Sequence, residues 1–173
     1  MKSAVLVIDV QNGVFGKDRT PYESNAVVER ICEIAKNAKS RGNVVIYVQH
    51  EAPGIVEYGS EDWSLYHALP VEDGDVKIRK KTPDAFFNTE LDQILKTESI
   101  TDLVICGYSS DFCIDRTTFK AANSGYKVAL VGDAHTTHDK PHLDARQIRE
   151  HHNFILSRHP AVSLVSYKEV VSG

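Results

Sequence analysis

The chain has 173 residues, 42% of them apolar and 25% charged, with a formal net charge of -4 and a pI near 6.0. That length holds a domain of ordinary size with a sizeable core, so residues 1–173 are read as a single domain, and the composition excludes a disordered chain. Mild acidity gives no electrostatic reason to expect nucleic acid or an anionic membrane as partner, and a small molecule is the expected one.

The opening stretch MKSAVLVIDVQN has a basic start and a short apolar run, but Asp9 interrupts the run and no small-residue cleavage site follows. It is not read as a secretory signal. No segment approaches the ~20 apolar residues of a membrane span. Cys32, Cys106 and Cys113 are too few and too uneven for a disulfide framework, which points to a reducing cytoplasm where a thiol stays free.

Short continuous runs of β-branched and apolar residues recur at Ala4–Ile8, Val44–Val48, Val76–Ile78, Leu103–Cys106, Val128–Val131 and Val162–Val165. Unbroken runs of this kind are how strands covered on both faces read. Between most of them the period is helical. Val27, Ile31, Ile34 and Ala38 form one stripe along Asn25–Ser40. Asn88 is placed to cap a helix carrying Leu91, Ile94 and Leu95, and Asp111 to cap another that runs to about Asn123 and stops at Gly125. Pro141 suits the first turn of a last helix through about Ser157. Strand alternating with helix predicts a parallel sheet with helices on both faces. Glu51–Asp75 breaks the rhythm with Pro53, Gly54, Gly59, Pro70 and Gly74, and its Tyr58, Trp63 and Tyr66 either cover a pocket or pack on a neighbouring subunit.

In such a sheet ligands bind outside the carboxyl ends of the strands. Asp9 ends the first strand, Lys80 ends the third, and Cys113 follows the fourth by one turn. A carboxylate after AVLVI gains nothing from packing, so Asp9 is either a cap or a catalyst. A cysteine near a helix start sits where the unpaired N–H groups favour a thiolate. Cys106, inside its strand, is read as inert. Val76, Ile78 and Lys80 share a face, which by itself does not choose among Lys77, Arg79, Lys80 and Lys81.

VLVIDVQN, KKTPDAFFNTELDQIL and LVICGYSSDFCIDRTTFKAANSGYKVALVGDAHTT, in this order and spacing, resemble the isochorismatase-like cysteine hydrolases, the superfamily of nicotinamidases and N-carbamoylsarcosine amidohydrolase. The resemblance spans nearly the whole chain. It implies an α/β three-layer sandwich with a six-stranded parallel sheet of order 3-2-1-4-5-6, a catalytic triad of Asp9, Lys80 and Cys113, and an oxyanion hole from the backbone N–H groups of Ser109 and Cys113. A cis peptide between Tyr108 and Ser109 would aim the first of those donors. It further implies C–N bond hydrolysis of a small molecule through a thioester, no cofactor, and a homodimer or larger homo-oligomer. Substrate contacts are expected from Phe15, Trp63, Tyr108 and His135.

Two departures from the family pattern bear on substrate. Nicotinamidases carry a metal-binding DxH after the second strand; here the stretch reads QHEAP, with His50 at the aspartate position and Ala52 at the histidine, so no metal is expected. True isochorismatases, which split a vinyl ether, generally lack the cysteine, and Cys113 favours the C–N reading over that alternative. Asp84 replaces the serine or asparagine often found before AF. His135, His138 and His142 cluster in HTTHDKPH, where solvent or substrate contact is expected over a metal; His152, in stripe with Ile148 and Ile155, reads as a hydrogen-bonded core histidine. A flavodoxin-like binding module is a further alternative, for which neither a GxGxxG nor a Walker loop is present.

Overall fold

Six strands form one all-parallel sheet in the order β3-β2-β1-β4-β5-β6, described by a computed structural model that covers residues 2–173. The strands are β1 (Lys2–Ile8), β2 (Val44–His50), β3 (Val76–Lys80), β4 (Ile100–Tyr108), β5 (Lys127–Thr136) and β6 (Val162–Val165). The helices are α1 (Asn12–Phe15), α2 (Ser24–Ser40), α3 (Leu91–Thr97), α4 (Asp115–Asn123), α5 (Ala145–Leu156) and α6 (Tyr167–Ser172). Most strands run beyond their apolar cores, because the polar residues that end them still pair with neighbours.

The unbroken apolar runs follow from coverage on two faces. In β1, Ala4, Leu6 and Ile8 join a core with Leu91 and Leu95 of α3, Ala121 of α4 and Leu156 of α5. Val5 and Val7 turn the other way, onto Val27, Ile31, Ile34 and Ala38 of α2. With every inward residue buried, no polar residue is tolerated on either side until the strand ends. Parallel connections between these strands place the helices in two outer layers, the three-layer arrangement expected from the sequence.

The helix ends differ from the sequence reading in three places. Asn88 caps nothing: it takes a left-handed conformation at φ 53, and the Thr89 hydroxyl instead accepts the Leu91 N–H at 3.3 Å. Asp111 does not cap either, since its carboxylate accepts from the Thr137 hydroxyl at 2.6 Å and pairs with Lys140 at 3.3 Å. The segment it was expected to open begins as a π-helical turn, Ser110–Ile114, in which the Ile114 N–H reaches the Ser109 carbonyl at 3.0 Å. Pro141 lies outside α5, which starts after Asp144 in a reciprocal capping box with Gln147. The short α6, unread in the sequence, is fixed by the same device at Ser166 and Glu169 and packs Tyr167, Val170 and Val171 onto the α2 side.

Strands β1 and β4 are neighbours whose connections leave to opposite sides, which makes the carboxyl end between them the switch point of the sheet. Gly107 closes that point. At φ +123 a Cβ there would lie 2.1 Å from the Ile8 carbonyl oxygen, so only glycine lets β4 pass so near the end of β1.

Candidate active site

Three strand ends meet at the switch point. Asp9 leaves β1 in a left-handed turn at φ 52, held by its N–H on the Val48 carbonyl at 2.9 Å. Lys80 ends β3 on the same face as buried Ile78, whereas Lys77 and Arg79 are exposed, so the pleat carries the Lys80 side chain inward. Cys113 sits in the π-helical turn directly after β4. The Lys80 ammonium lies 2.8 Å from Asp9 Oδ2, 3.1 Å from Cys113 Sγ, 3.2 Å from the Thr82 carbonyl oxygen and 2.9 Å from His50 Nδ1. His50 is there because it is the register partner of Lys80 across β2 and β3. Lys80 is 1% exposed, Asp9 3% and Cys113 8%.

Burial acts first on each group, and the partners then decide its charge. Desolvation opposes the Lys80 ammonium, but Asp9 and Cys113 together outweigh it and hold the amine above its usual range. Burial and the Asp9 charge push the Cys113 thiol up to about 12, with Lys80 only partly offsetting them. The thiolate expected from a helix start is therefore not the resting state. One cation beside one carboxylate is already neutral, and a second buried anion has no counter-ion. Asp9 Oδ1 is buried without a hydrogen-bond partner among the described residues, an open acceptor beside that thiol. Burial and then Lys80 lower His50, which stays neutral.

Asp9, His50 and Cys113 offer donor atoms within 4.8 Å of one another, a set that could hold a metal ion. The Lys80 ammonium already stands within 3.1 Å of all three and supplies the positive charge they converge on. His50 thus serves Lys80, from the position where the related metal motif has its aspartate.

Asp9, His50 and Cys113 of this cluster line a cleft of about 690 Å³. Its walls include apolar Val14, Ile55, Val56 and Phe112, and polar Tyr108 and His138. Tyr108 donates its hydroxyl to His138 Nδ1 at 2.9 Å, and His138 Nε2 meets the Arg19 carbonyl at 3.0 Å. That carbonyl can only accept, so the ring proton lies on Nε2 and Nδ1 is left to accept from Tyr108. The peptide between Tyr108 and Ser109 is cis, and Ser109 lines the cleft beside Cys113.

Comparison with known proteins shows the family and the fold. Residues 3–154 match the Isochorismatase domain. The chain belongs to the isochorismatase family. It is 36% identical over 80% of its length to a streptothricin hydrolase of Streptomyces noursei, of which the match covers 51%. The chain therefore spans about half the length of that relative. A ureidoacrylate amidohydrolase of Azorhizobium caulinodans is 25% identical over 77% of this chain and 75% of its own. A crystal structure of an isochorismatase family protein superimposes with a TM-score of 0.89 at 30% identity, covering 95% of this chain and 98% of that one.

On this isochorismatase-family scaffold the pocket residues expected from sequence are placed unevenly. Tyr108 lines the cleft. Phe15 does not: it is buried behind Tyr108, with ring centroids 6.1 Å apart. Trp63 is turned away onto Tyr58, and its contribution is a backbone carbonyl that accepts from Gln11 at 2.7 Å and Gln49 at 3.1 Å. His135 is fully buried because β5 continues to Thr136, past the end of its apolar run; it bonds Ser110 Oγ at 2.8 Å and Asn153 Oδ1 at 2.7 Å. Of the histidines in HTTHDKPH, His138, two residues beyond the strand, lines the cleft, and His142 is exposed. His152 is half-buried on Asp115 at 3.2 Å, although its stripe neighbour Ile155 is exposed. Asp84 accepts the Phe86 N–H at 2.8 Å and so shapes the turn before AF. Ile55 and Val56 belong to the Glu51–Asp75 excursion and Phe112 to the loop after Tyr108, though the sequence singles out none of the three, nor Val14; alternation of β2 past its apolar run (Ile46, Val48, His50) is the signal for His50's role.

Proposed function

We propose that this protein hydrolyses an amide or other C–N bond of a small molecule, with Cys113 as nucleophile, Asp9 as proton carrier and Lys80 as the charge that holds them. The observation that carries the reading is the Lys80 ammonium bridging Asp9 Oδ2 at 2.8 Å and Cys113 Sγ at 3.1 Å, with Asp9 and Cys113 both lining the cleft. The names of the streptothricin hydrolase and the ureidoacrylate amidohydrolase favour hydrolysis.

As Sγ approaches the substrate carbonyl carbon, its proton passes to Asp9, whose Oδ1 is the open acceptor. The cluster's total charge does not change, so a buried thiolate arises without a net ionisation. The new S–C bond places the carbonyl electrons on oxygen, where the N–H groups of Ser109 and Cys113 would receive them. Collapse of that oxyanion breaks the C–N bond, the amine leaves with the proton from Asp9, and a thioester remains. Water then gives a proton to Asp9 and adds to the thioester; the C–S bond breaks, and the proton returns to sulfur. Lys80 stays an ammonium throughout. The test is ammonia release from a panel of small amides and carbamoyl compounds by wild type and Cys113→Ala. Cys113-dependent release supports the reading, and release unaffected by the substitution refutes it.

A further inference from the structure

His50 stands beside the proposed triad but is not consumed by it. Its Nδ1 lies 2.9 Å from the Lys80 ammonium, which has protons to give and no lone pair to offer. Nδ1 therefore accepts, and the single proton of the neutral ring lies on Nε2. Nε2 has no hydrogen-bond partner among the described residues and is not among the sealed polar atoms, while the residue itself lines the cleft. The ring is also fixed in place. Gln11 accepts the His50 N–H at 2.9 Å and donates to the His50 carbonyl at 2.9 Å, so one buried amide clamps the backbone on both sides.

The charge around this donor is biased. The chain is acidic overall at -4, yet the cleft lining contains Lys17, Arg19 and Lys140 against one carboxylate, Asp9, which Lys80 already neutralises. Lys17 and Lys140 are paired with Asp62 and Asp111, whereas Arg19 has no carboxylate partner among the described residues and makes a 3.5 Å bond to the Asp139 carbonyl. A neutral N–H donor and the Arg19 guanidinium in the same lining favour the same kind of ligand atom, an anionic oxygen.

We propose that His50 is a substrate-binding residue whose Nε2–H takes a carboxylate oxygen of the substrate, so that the preferred substrates of this cleft are amides or carbamoyl compounds bearing a carboxylate as well as the scissile carbonyl. This rests on the hydrolase reading above and names its substrate class. A hydrogen bond to a charged oxygen supports about tenfold or more in affinity.

The test pairs N-carbamoylglycine and succinamic acid with their uncharged methyl esters. Two variants divide the functions of the ring: Asn reproduces the position of Nδ1 and keeps the bond to Lys80, and Gln reproduces Nε2–H and gives up the contact with Lys80. Wild type is expected to favour each acid over its ester by about tenfold or more in kcat/KM. His50→Asn should abolish that preference by raising KM for the acid with kcat little changed, and His50→Gln should keep the preference while lowering kcat. Equal turnover of acid and ester, or a preference that survives His50→Asn, overturns the proposal. Calorimetric binding of N-carbamoylglycine and its ester to Cys113→Ala and to the Cys113→Ala, His50→Asn double variant reads the same preference without chemistry. A failed hydrolase reading would thus show as no Cys113-dependent release, and a failed His50 assignment as binding indifferent to the carboxylate or to His50→Asn.

Discussion

Two buried polar clusters flank the same turn, and they differ in what burial leaves unspent. Behind the turn, the Ser110 hydroxyl bonds His135, His135 bonds Asn153, and Asn153 donates to the Gly132 carbonyl at 3.0 Å. Every group there is neutral and satisfied, and Ser110 and His135 have no exposed surface. In front of the turn, Asp9, Lys80 and Cys113 are almost as buried but carry charge, leave Asp9 Oδ1 without a partner among the described residues, and present Asp9 and Cys113 to a cleft. A satisfied buried network rigidifies, whereas one with an open acceptor next to a proton donor is able to react.

The contrast is broken most sharply at the nucleophile. Cys113→Ala is expected to lower kcat by about 10⁴-fold or more without loss of folded protein, as read by ammonia release together with a thermal melt. Asp9→Asn removes the acceptor and should cost about 10²- to 10⁴-fold in kcat. Lys80→Ala leaves a buried carboxylate unpaired, and unfolding in urea should show a loss of about 3–5 kcal/mol.

The rear cluster should respond in stability before activity. Burial, eased by the Asn153 bond and reinforced by Arg149 and His152, lowers His135 to about 4 from 6.5. Between pH 6.5 and 4 the unfolded chain therefore binds a proton that the folded one refuses, and stability falls as pH falls across that window. At about 1.4 kcal/mol per unit the loss attributable to His135 is ~3 kcal/mol, read as the part of the pH dependence missing in His135→Gln. Asn153→Leu should cost about 1–3 kcal/mol by stranding His135 Nε2–H and the Gly132 carbonyl, with kcat reduced by less than about tenfold.

The strands were legible because two-sided burial forces unbroken apolar runs, and β1 through β6 all contain the runs read from sequence. Asp9 and Cys113 were legible for the complementary reason: each is a reactive side chain set where a run stops. Lys80 needed the family resemblance, since alternation puts it with Ile78 but does not say which cation the chemistry uses. Less was legible where tertiary reach decides. His135 and His138 differ by three residues, yet one is enclosed by Asn153 and the other enters the cleft, because the end of β5 is set by its pairing with β4 at Gly107 and Tyr108. Ile55 and Val56 come from a loop without period, folded back by the pairing of Ala52 with Val56. The caps misread at Asn88 and Asp111 were side chains with alternatives: a left-handed turn for one, and Thr137 and Lys140 for the other.

In the proposed reaction a substrate carbon becomes bonded to the sulfur of Cys113. Wild-type enzyme stopped with acid while turning over an amide, then digested and weighed peptide by peptide, tests this most directly. The predicted result is an acyl group on the Cys113 peptide that vanishes when substrate is exhausted; steady turnover with that peptide unmodified, and undiminished in Cys113→Ala, would contradict it.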